Sequence, residues 1–284
     1  MSKSSQNKKW NMIVDVAKCN NCYNCFVGTK DEYVGNEHKG YTAPQPLHGH
    51  QWVDIKRAEG GQWPMVETQF RPEMCNHCDD APCLKVAKNG AIKKRADGIV
   101  IIDPEKSKGQ REIVDACPYG AVFWNEELEI PQAWPFDAHL LDHGWKKTKI
   151  EQCCPTDVFK SVKVTDEQML RIVDEEELST LGAKDGAKPR VYYKNAQVFN
   201  AVFIGGTVIT EKNGVEDCLP GAVVLAKHNG EEIGRAESDA FGDFKIEKLT
   251  KGLGNVTLDI QYNGDTQSHE VQLGESIYIG TLSF

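Results

Sequence analysis

The sequence predicts an α+β chain in two parts: a loop-rich region organised by bound inorganic cores, residues 1–190, and a small antiparallel β-sandwich or barrel, residues 191–284. Three observations predict it. Residues 1–190 hold nine of the ten cysteines, all six tryptophans and all but one of the twelve prolines, with little long periodicity. From about residue 191 the hydrophobic pattern changes to period two, in short runs separated by turn signals. The polar bridge GAKDGAKPR, residues 182–190, lies between the two textures.

A chain of 284 residues is long enough for two cores, and 40% hydrophobic residues with both charge signs throughout is a soluble, globular composition. The net charge of -9, from 33 basic and 42 acidic residues, repels a phosphate backbone. No basic patch outweighs it, because SKSSQNKK at the start is short and reads as a solvated terminus, so nucleic acid is not an expected partner. The opening MSKSSQNKKWNMIVDV lacks the apolar core of a secretory signal, and no apolar run reaches the roughly 18 residues of a membrane span. The expectation is a cytoplasmic chain without a membrane segment. Export in complex with a signal-bearing partner stays open.

Several elements are legible in order. Between Cys25 and Cys75 the segment YTAPQPLHGHQW predicts irregular, packed loops. GIVIID, residues 98–103, is a short β-like run, and REIVDA, residues 111–116, is one or two helical turns ended by Cys117-Pro118. TDEQMLRIVDEEELSTLG is a better helix, with a Thr165–Gln168 capping box, an apolar face of Met169, Leu170, Ile172 and Val173, and Gly182 as its stop. Beyond residue 190 the strand runs are VYYKNAQVF, AVFIGGTVI, GAVVLAKH, GDFKIEKL, NVTLDIQY, SHEVQL and SIYIGTLSF. Turns are expected at Asn213-Gly214, Asn229-Gly230 and Asn263-Gly264. Val256, Leu258, Ile260 and Tyr262 share one face, as a sandwich or barrel strand requires.

The tight cysteine spacings point to metal rather than disulfides. Cys19, Cys22 and Cys25 are spaced C-x2-C-x2-C, with Thr29 at the fourth place; Cys75, Cys78 and Cys83 are spaced C-x2-C-x4-C, with Ala87 there. In ACPYGA, Cys117 precedes a proline, but the three preceding places belong to Ser107, Gln110 and Ile113. In EQCCPT, Cys154 precedes Pro155 and Ile150 stands where another cysteine is expected. The bacterial ferredoxin run is C-x2-C-x2-C-x3-C-P, and in two-cluster ferredoxins its fourth cysteine ligates the other cluster. That rule assembles Cys19, Cys22, Cys25 and Cys154 into one set and Cys75, Cys78, Cys83 and Cys117 into another. The expectation is two [4Fe-4S] clusters in tandem ferredoxin-like modules, two vacant sites and no third cluster.

Other readings stand beside this one. A four-thiolate zinc site built on either triad is possible, although three such close thiolates suit a cubane corner better. Thr29, Ala87 and Ile113 read as packing residues, Asp137 as an exposed or capping residue rather than an iron ligand, and Cys153 as a buried spare thiol. Cys218 reads as core. His77, His139 and His143, without paired carboxylate spacing, read as structural. No G-x-G-x-x-G, P-loop, nucleophile elbow or H-E-x-x-H occurs, so no catalytic residue is assigned. An electron-carrying or scaffolding subunit is the simplest reading; a free-standing ferredoxin with a β adaptor and a purely structural subunit are its rivals.

MCNHCDDAPC, GIVIIDPEK, ACPYGA, AHLLDHGW and KPRVYYKN, in this order among four cysteine groups, resemble the iron-sulfur β subunits of the dimethyl sulfoxide reductase family. In that family a C-x2-C pair precedes AHLLD, and Trp134 and Asp137 take its places here. With DCLPGAVVL and AFGDFKIEKL, the chain is similar to the small subunit of the transhydroxylase branch, and the β region resembles transthyretin-like or carboxypeptidase-regulatory-like domains. The resemblance implies a large molybdopterin-containing catalytic partner in which a hydroxyl moves between polyhydroxylated benzenes without net redox change. The clusters on this chain would then carry electrons, poise the molybdenum or stabilise the fold. An electron-transfer subunit of another phenol hydroxylase or reductase of the family is the alternative.

Overall fold

The computed structural model describes residues 8–182, 186–212 and 214–284. The first residues of SKSSQNKK, the middle of GAKDGAKPR and Asn213 of one expected turn lie outside the described residues. The chain divides into two units, Met1–Lys56 with Phe70–Ala196, and Arg57–Gln69 with Gln197–Phe284.

The first unit begins with β1 (Lys9–Asp15), α1 (Asn24–Tyr33) and a hairpin of β2 (Val53–Gln62) and β3 (Met65–Met74), whose outer part, residues 57–69, is grouped with the second unit. Short pieces follow: α2 (Pro82–Val86), β4 (Ile92–Lys94), β5 (Val100–Ile102), α3 (Glu112–Asp115), β6 (Phe123–Asn125), β7 (Ile130–Gln132), α4 (Ala138–Asp142) and α5 (Lys149–Cys153). The unit closes with β8 (Phe159–Val164), α6 (Asp166–Glu175) and β9 (Val191–Lys194). β1 is the central strand of a three-stranded sheet, antiparallel to β8 and parallel to β9. Asn11 to Val14 are buried accordingly.

The sheet pairing explains two departures from expectation. VYYK, on the C-terminal side of the expected boundary at residue 190, completes the first unit's sheet through Met12↔Val191 and Val14↔Tyr193. The rest of that run, Ala196–Asn200, is a 3-10 turn rather than a strand. Likewise the region between Cys25 and Cys75 is irregular through YTAPQPLHGHQW but then forms β2 and β3, whose polar, half-exposed sequence hides their pairing.

The capping box of α6 is present: Gln168 N–H donates to Thr165 Oγ1 at 3.2 Å and Thr165 N–H to Gln168 Oε1 at 3.0 Å. Met169, Ile172 and Val173 pack around Ile13 and Leu178. Leu170, expected on that face, is 69% exposed, and the helix ends at Glu175, well before Gly182.

The second unit is nearly all β: β10 (Ala201–Lys212), β11 (Val215–Cys218), β12 (Val223–His228), β13 (Glu231–Glu237), β14 (Asp243–Thr250), β15 (Gly254–Tyr262), β16 (Asp265–Leu273) and β17 (Ile277–Ser283). One sheet runs β13-β12-β15-β16; in the other, β10 pairs with β11, β14 and β17. Both contribute to one core, in which Ile204 and Val208 meet Val224, Phe244, Ile246, Val256, Leu258 and Ile260. On the outer face of β15, Asp259 accepts from Lys227 Nζ and Ser268 Oγ, both at 2.6 Å, and Thr257 donates to Glu270 at 2.8 Å. Asn229-Gly230 and Asn263-Gly264 are the expected two-residue turns, with φ of 52° and 85°, and 49° and 93°. Two features correct the expectation: β17 runs parallel to β10, and two sheets with edge strands replace any closed barrel.

Thr165→Ala is expected to cost about 1 kcal/mol by loss of the cap, whereas Leu170→Ala should shift stability by less than about 0.5 kcal/mol. Urea unfolding of the two variants measures the contrast.

Candidate metal centres

Each candidate ligand set joins segments that are distant in sequence. Cys19 follows β1 after a short 3-10 turn, Cys25 lies in the first turn of α1, and Cys154 caps the C-terminal end of α5. α1 and α5 approach closely at Gly28, where a Cβ would stand 2.8 Å from Cys153 Sγ. Cys19 senses the charges of Cys154 and Cys22, and Cys25 those of Cys19, Cys153 and Cys154. In the second group Cys75 follows β3, Cys83 lies in α2 and Cys117 follows α3. Cys75 senses Cys117, Cys83 and Cys78 in turn.

The two cysteines that precede prolines have the same environment. Ala121 N–H donates to Cys117 Sγ at 3.4 Å, and Val158 N–H to Cys154 Sγ at 3.4 Å, in both cases from four residues on.

Burial pushes the Cys25 and Cys78 thiols up to about 12, Cys83 to about 11 and Cys75 well above the ordinary thiol value. Neighbouring thiols add to the rise, because each further negative charge repels the next. Without a cation these sulfurs stay protonated. A cationic core between them reverses the balance, since metal binding drives deprotonation, so the donor set fits an iron-sulfur core.

The places that lack ligands are filled. Ile113 is fully buried with Ala91, Ile92, Val100 and Val122, while Ala87 packs against the same cluster. Gln110 accepts from Lys88 N–H at 2.8 Å and donates to Lys106 O at 2.6 Å. Ser107 is fully buried and its hydroxyl has no partner. At the other place Trp134 and Ile150 are fully buried, and Thr29 Oγ1 donates to Cys25 O at 2.8 Å.

Asp137, expected to be exposed or capping, is 1% exposed. Its Oδ1 accepts from Tyr33 OH at 2.6 Å and Trp134 Nε1 at 2.8 Å, and its Oδ2 from Lys149 N–H at 2.7 Å. Burial raises its pKa against those three hydrogen bonds.

Other expectations are also corrected. Cys153, expected to be buried, is only partly so and donates to Asn24 O at 3.3 Å. Cys218, expected in the core, is exposed because all of β11 is.

His139, expected to lack a carboxylate, has its Nε2 2.8 Å from Glu32 Oε1, with His38 beside them. This trio has the atom types of a divalent-metal site. However, the two imidazoles stack with centroids 3.8 Å apart, and Lys149 Nζ lies 3.4 Å from Glu32 Oε2. With His139 bonded to Glu32 and Lys149 beside the same carboxylate, the trio reads as a hydrogen-bonded network. His77 matches its structural reading: Nδ1 accepts from Val100 N–H at 3.1 Å, and burial holds its pKa down to about 3.

The sequence did not single out the polar residues around the second group. Lys94 Nζ donates to His77 O at 2.7 Å and Cys78 O at 2.9 Å, and lies 3.0 Å from Asp79. Arg190, 3% exposed, reaches Asn11, Asp79 and Asp166. Burial opposes ionisation of Asp79, but Arg190 and Lys94 outweigh it and hold that carboxyl at about 2. Only the Asp-Asp pair after Cys78 and the Lys-Pro-Arg near residue 190 hint at this in sequence.

A family model described as a 4Fe-4S dicluster domain matches residues 66–164. The pyrogallol hydroxytransferase small subunit of Pelobacter acidigallici is 41% identical over 97% of this chain and 99% of that protein. The chain belongs to this family of iron-sulfur subunits. The family extends to the iron-sulfur subunit of a putative dimethyl sulfoxide reductase of Halobacterium salinarum, 30% identical over 66% of this chain and 80% of that protein. It also includes a tetrathionate reductase subunit of Salmonella typhimurium, 28% identical over 66% and 73%. The chain is therefore an iron-sulfur subunit of this family, with a 4Fe-4S dicluster domain. Among the described residues no helix is long and apolar enough to cross a membrane.

Arg190→Ala in the iron-sulfur subunit is expected to cost about 2 kcal/mol, because Arg190 is buried but Asp79 is only partly so and keeps Lys94 beside it. Arg190→Lys should not restore it, since an ammonium cannot fork between two carboxylates. Unfolding midpoints of the cluster-loaded variants test both.

Proposed function

We propose that this chain serves a molybdopterin enzyme of the pyrogallol hydroxytransferase kind, holding two [4Fe-4S] clusters that poise the molybdenum site of a large partner subunit. The observation that carries this reading is the end-to-end match to the Pelobacter small subunit. The reductase relatives cover 66% of this chain or less, whereas that match spans 97% and so takes in much of the second, β unit, read here as a sandwich. An electron-transfer subunit of another phenol hydroxylase or reductase is the competing reading, supported by those relatives of the first unit.

In the proposed arrangement Cys19, Cys22, Cys25 and Cys154 hold one cluster and Cys75, Cys78, Cys83 and Cys117 the other. The charge of Cys154 acts on Cys19 and Cys25, and that of Cys117 on Cys75, Cys78 and Cys83; with the paired N–H donors at Cys117 and Cys154 this supports the cross-over. The filled places around Ile113 and Asp137 support two clusters rather than more. Such clusters supply one-electron storage and transfer. The protein's part is to desolvate the sulfurs, aim N–H groups at them and keep water away. Ten free cysteines suit a reducing compartment, and the cytoplasm is the proposed one.

Iron and acid-labile sulfide in the anaerobically purified complex should each be about eight per chain, as two [4Fe-4S] cores require, with molybdenum present and zinc absent. Cys154→Ala should lose one cluster while Cys153→Ala keeps both; the reverse would shift the ligand by one residue. Hydroxyl transfer between trihydroxybenzenes should proceed without stoichiometric electron acceptor. A requirement for one would favour the hydroxylase or reductase reading.

A further inference from the structure

We propose that Asp137 is a positioning residue for the Cys19–Cys22–Cys25–Cys154 centre: one buried carboxylate ties α1 to α5, and its fixed negative charge lowers the reduction potential of the cluster held there. The inference rests on the ligand assignment proposed above and adds to it.

The tie is visible in three hydrogen bonds. Tyr33, the last residue of α1, and Lys149, the first of α5, donate to opposite oxygens of the same carboxylate at 2.6 and 2.7 Å. α1 carries Cys25 in its first turn, and α5 leads directly into Cys154. Fixing these helix ends relative to each other fixes the register of the two cysteines. Helices of ten and five residues are too short to hold that register by themselves.

The donors also favour the charged form. Trp134 Nε1 and the Lys149 amide can only donate, and each points at an oxygen of Asp137. These hydrogen bonds oppose the rise that burial imposes on the carboxyl. No lysine or arginine forms an ion pair with Asp137 among the described residues; the hydrogen bonds and the neighbouring His139 oppose the cost of its burial. Asp137 Oδ2 accepts the first N–H of the five-residue helix that leads into Cys154, about 8 Å along the axis. A negative charge so placed disfavours adding an electron to the nearby cluster.

The backbone is committed to this arrangement as well. Phe136 and Asp137 both have positive φ, 58° and 50°. Two successive left-handed non-glycine residues are an unfavourable turn, held here by burial of Trp134 and Phe136 at 0% and 1% exposure.

Asp137→Asn keeps the size, removes the charge and turns one acceptor into a donor facing a donor. In the anaerobic holo-complex, chelator should strip iron from one of the two clusters several-fold faster than in the wild type. That cluster alone should titrate at a higher potential by EPR-monitored reduction. Tyr33→Phe removes one donor but keeps the charge; it should loosen the same cluster without raising its potential, and it carries the test should the Asn variant fail to accumulate. Unchanged chelation and potential, or equal effects on both clusters, would overturn the proposal. Cys154→Ala separates this from the ligand assignment. If that variant retains both clusters, the assignment itself falls. If it loses one and Asp137→Asn leaves that one untouched, only the role of Asp137 falls.

Discussion

The first unit depends on the convergence of sulfurs that burial alone would keep protonated. Cys25, Cys75, Cys78 and Cys83 all have raised pKa values because the fold withdraws them from water and places other thiols beside them. An arrangement that is unfavourable for four anions becomes favourable once a cationic core sits among them. The surrounding architecture is consistent with that dependence. Between Cys75 and Cys154 the helices span four or five residues and the strands three, lengths that do not persist alone in water. Among the described residues three of the apolar clusters around them are small, although Tyr33, Trp52, Trp134 and Phe136 are also buried in the unit. The second unit needs no such staple, because its two sheets share one continuous core.

On the proposed ligand assignment two cluster sites are vacant, each leaving a hole and a missing crosslink, and the two places answer in different ways. Around Ile113 the hole is filled with aliphatic side chains, and Gln110 bridges Lys88 to Lys106. Around Asp137 an indole fills the space, while a carboxylate with three donors supplies the crosslink. The second solution introduces a charge and the first does not. Two vacancies that look alike as missing cysteines therefore differ in what they do to the neighbouring sulfur sites.

Much of this was legible in the sequence where a local rule applied. The capping box of α6, the turns at Asn229-Gly230 and Asn263-Gly264 and the period-two core of β15 follow from nearest-neighbour chemistry, and the structure has them. What was missed depends on distant partners. VYYK is a strand by pattern, but only β1 decides that it belongs to the first unit. β2 and β3 are too polar to announce themselves, and β11 leaves Cys218 exposed although its sequence reads as core. Asp137 does stand at the N-cap position of α4, as a capping residue would, but its burial was missed for the same reason. A lone Asp beside a helix is usually solvated, and its three donors come from positions 33, 134 and 149.

The proposed chemistry bears on why such losses are tolerable. A reductase must pass electrons from an outside donor to its catalytic metal, so each vacant site widens a gap that every turnover has to cross. Hydroxyl transfer between two phenols begins and ends at the same oxidation level. A subunit serving that reaction has to set the redox state of its partner, and it does not have to sustain a current. Selection would then act on the potential and stability of the remaining clusters more than on the length of the relay. A buried carboxylate beside one cluster suits that demand: it restores a lost crosslink, and its charge favours the oxidised state of the site it braces.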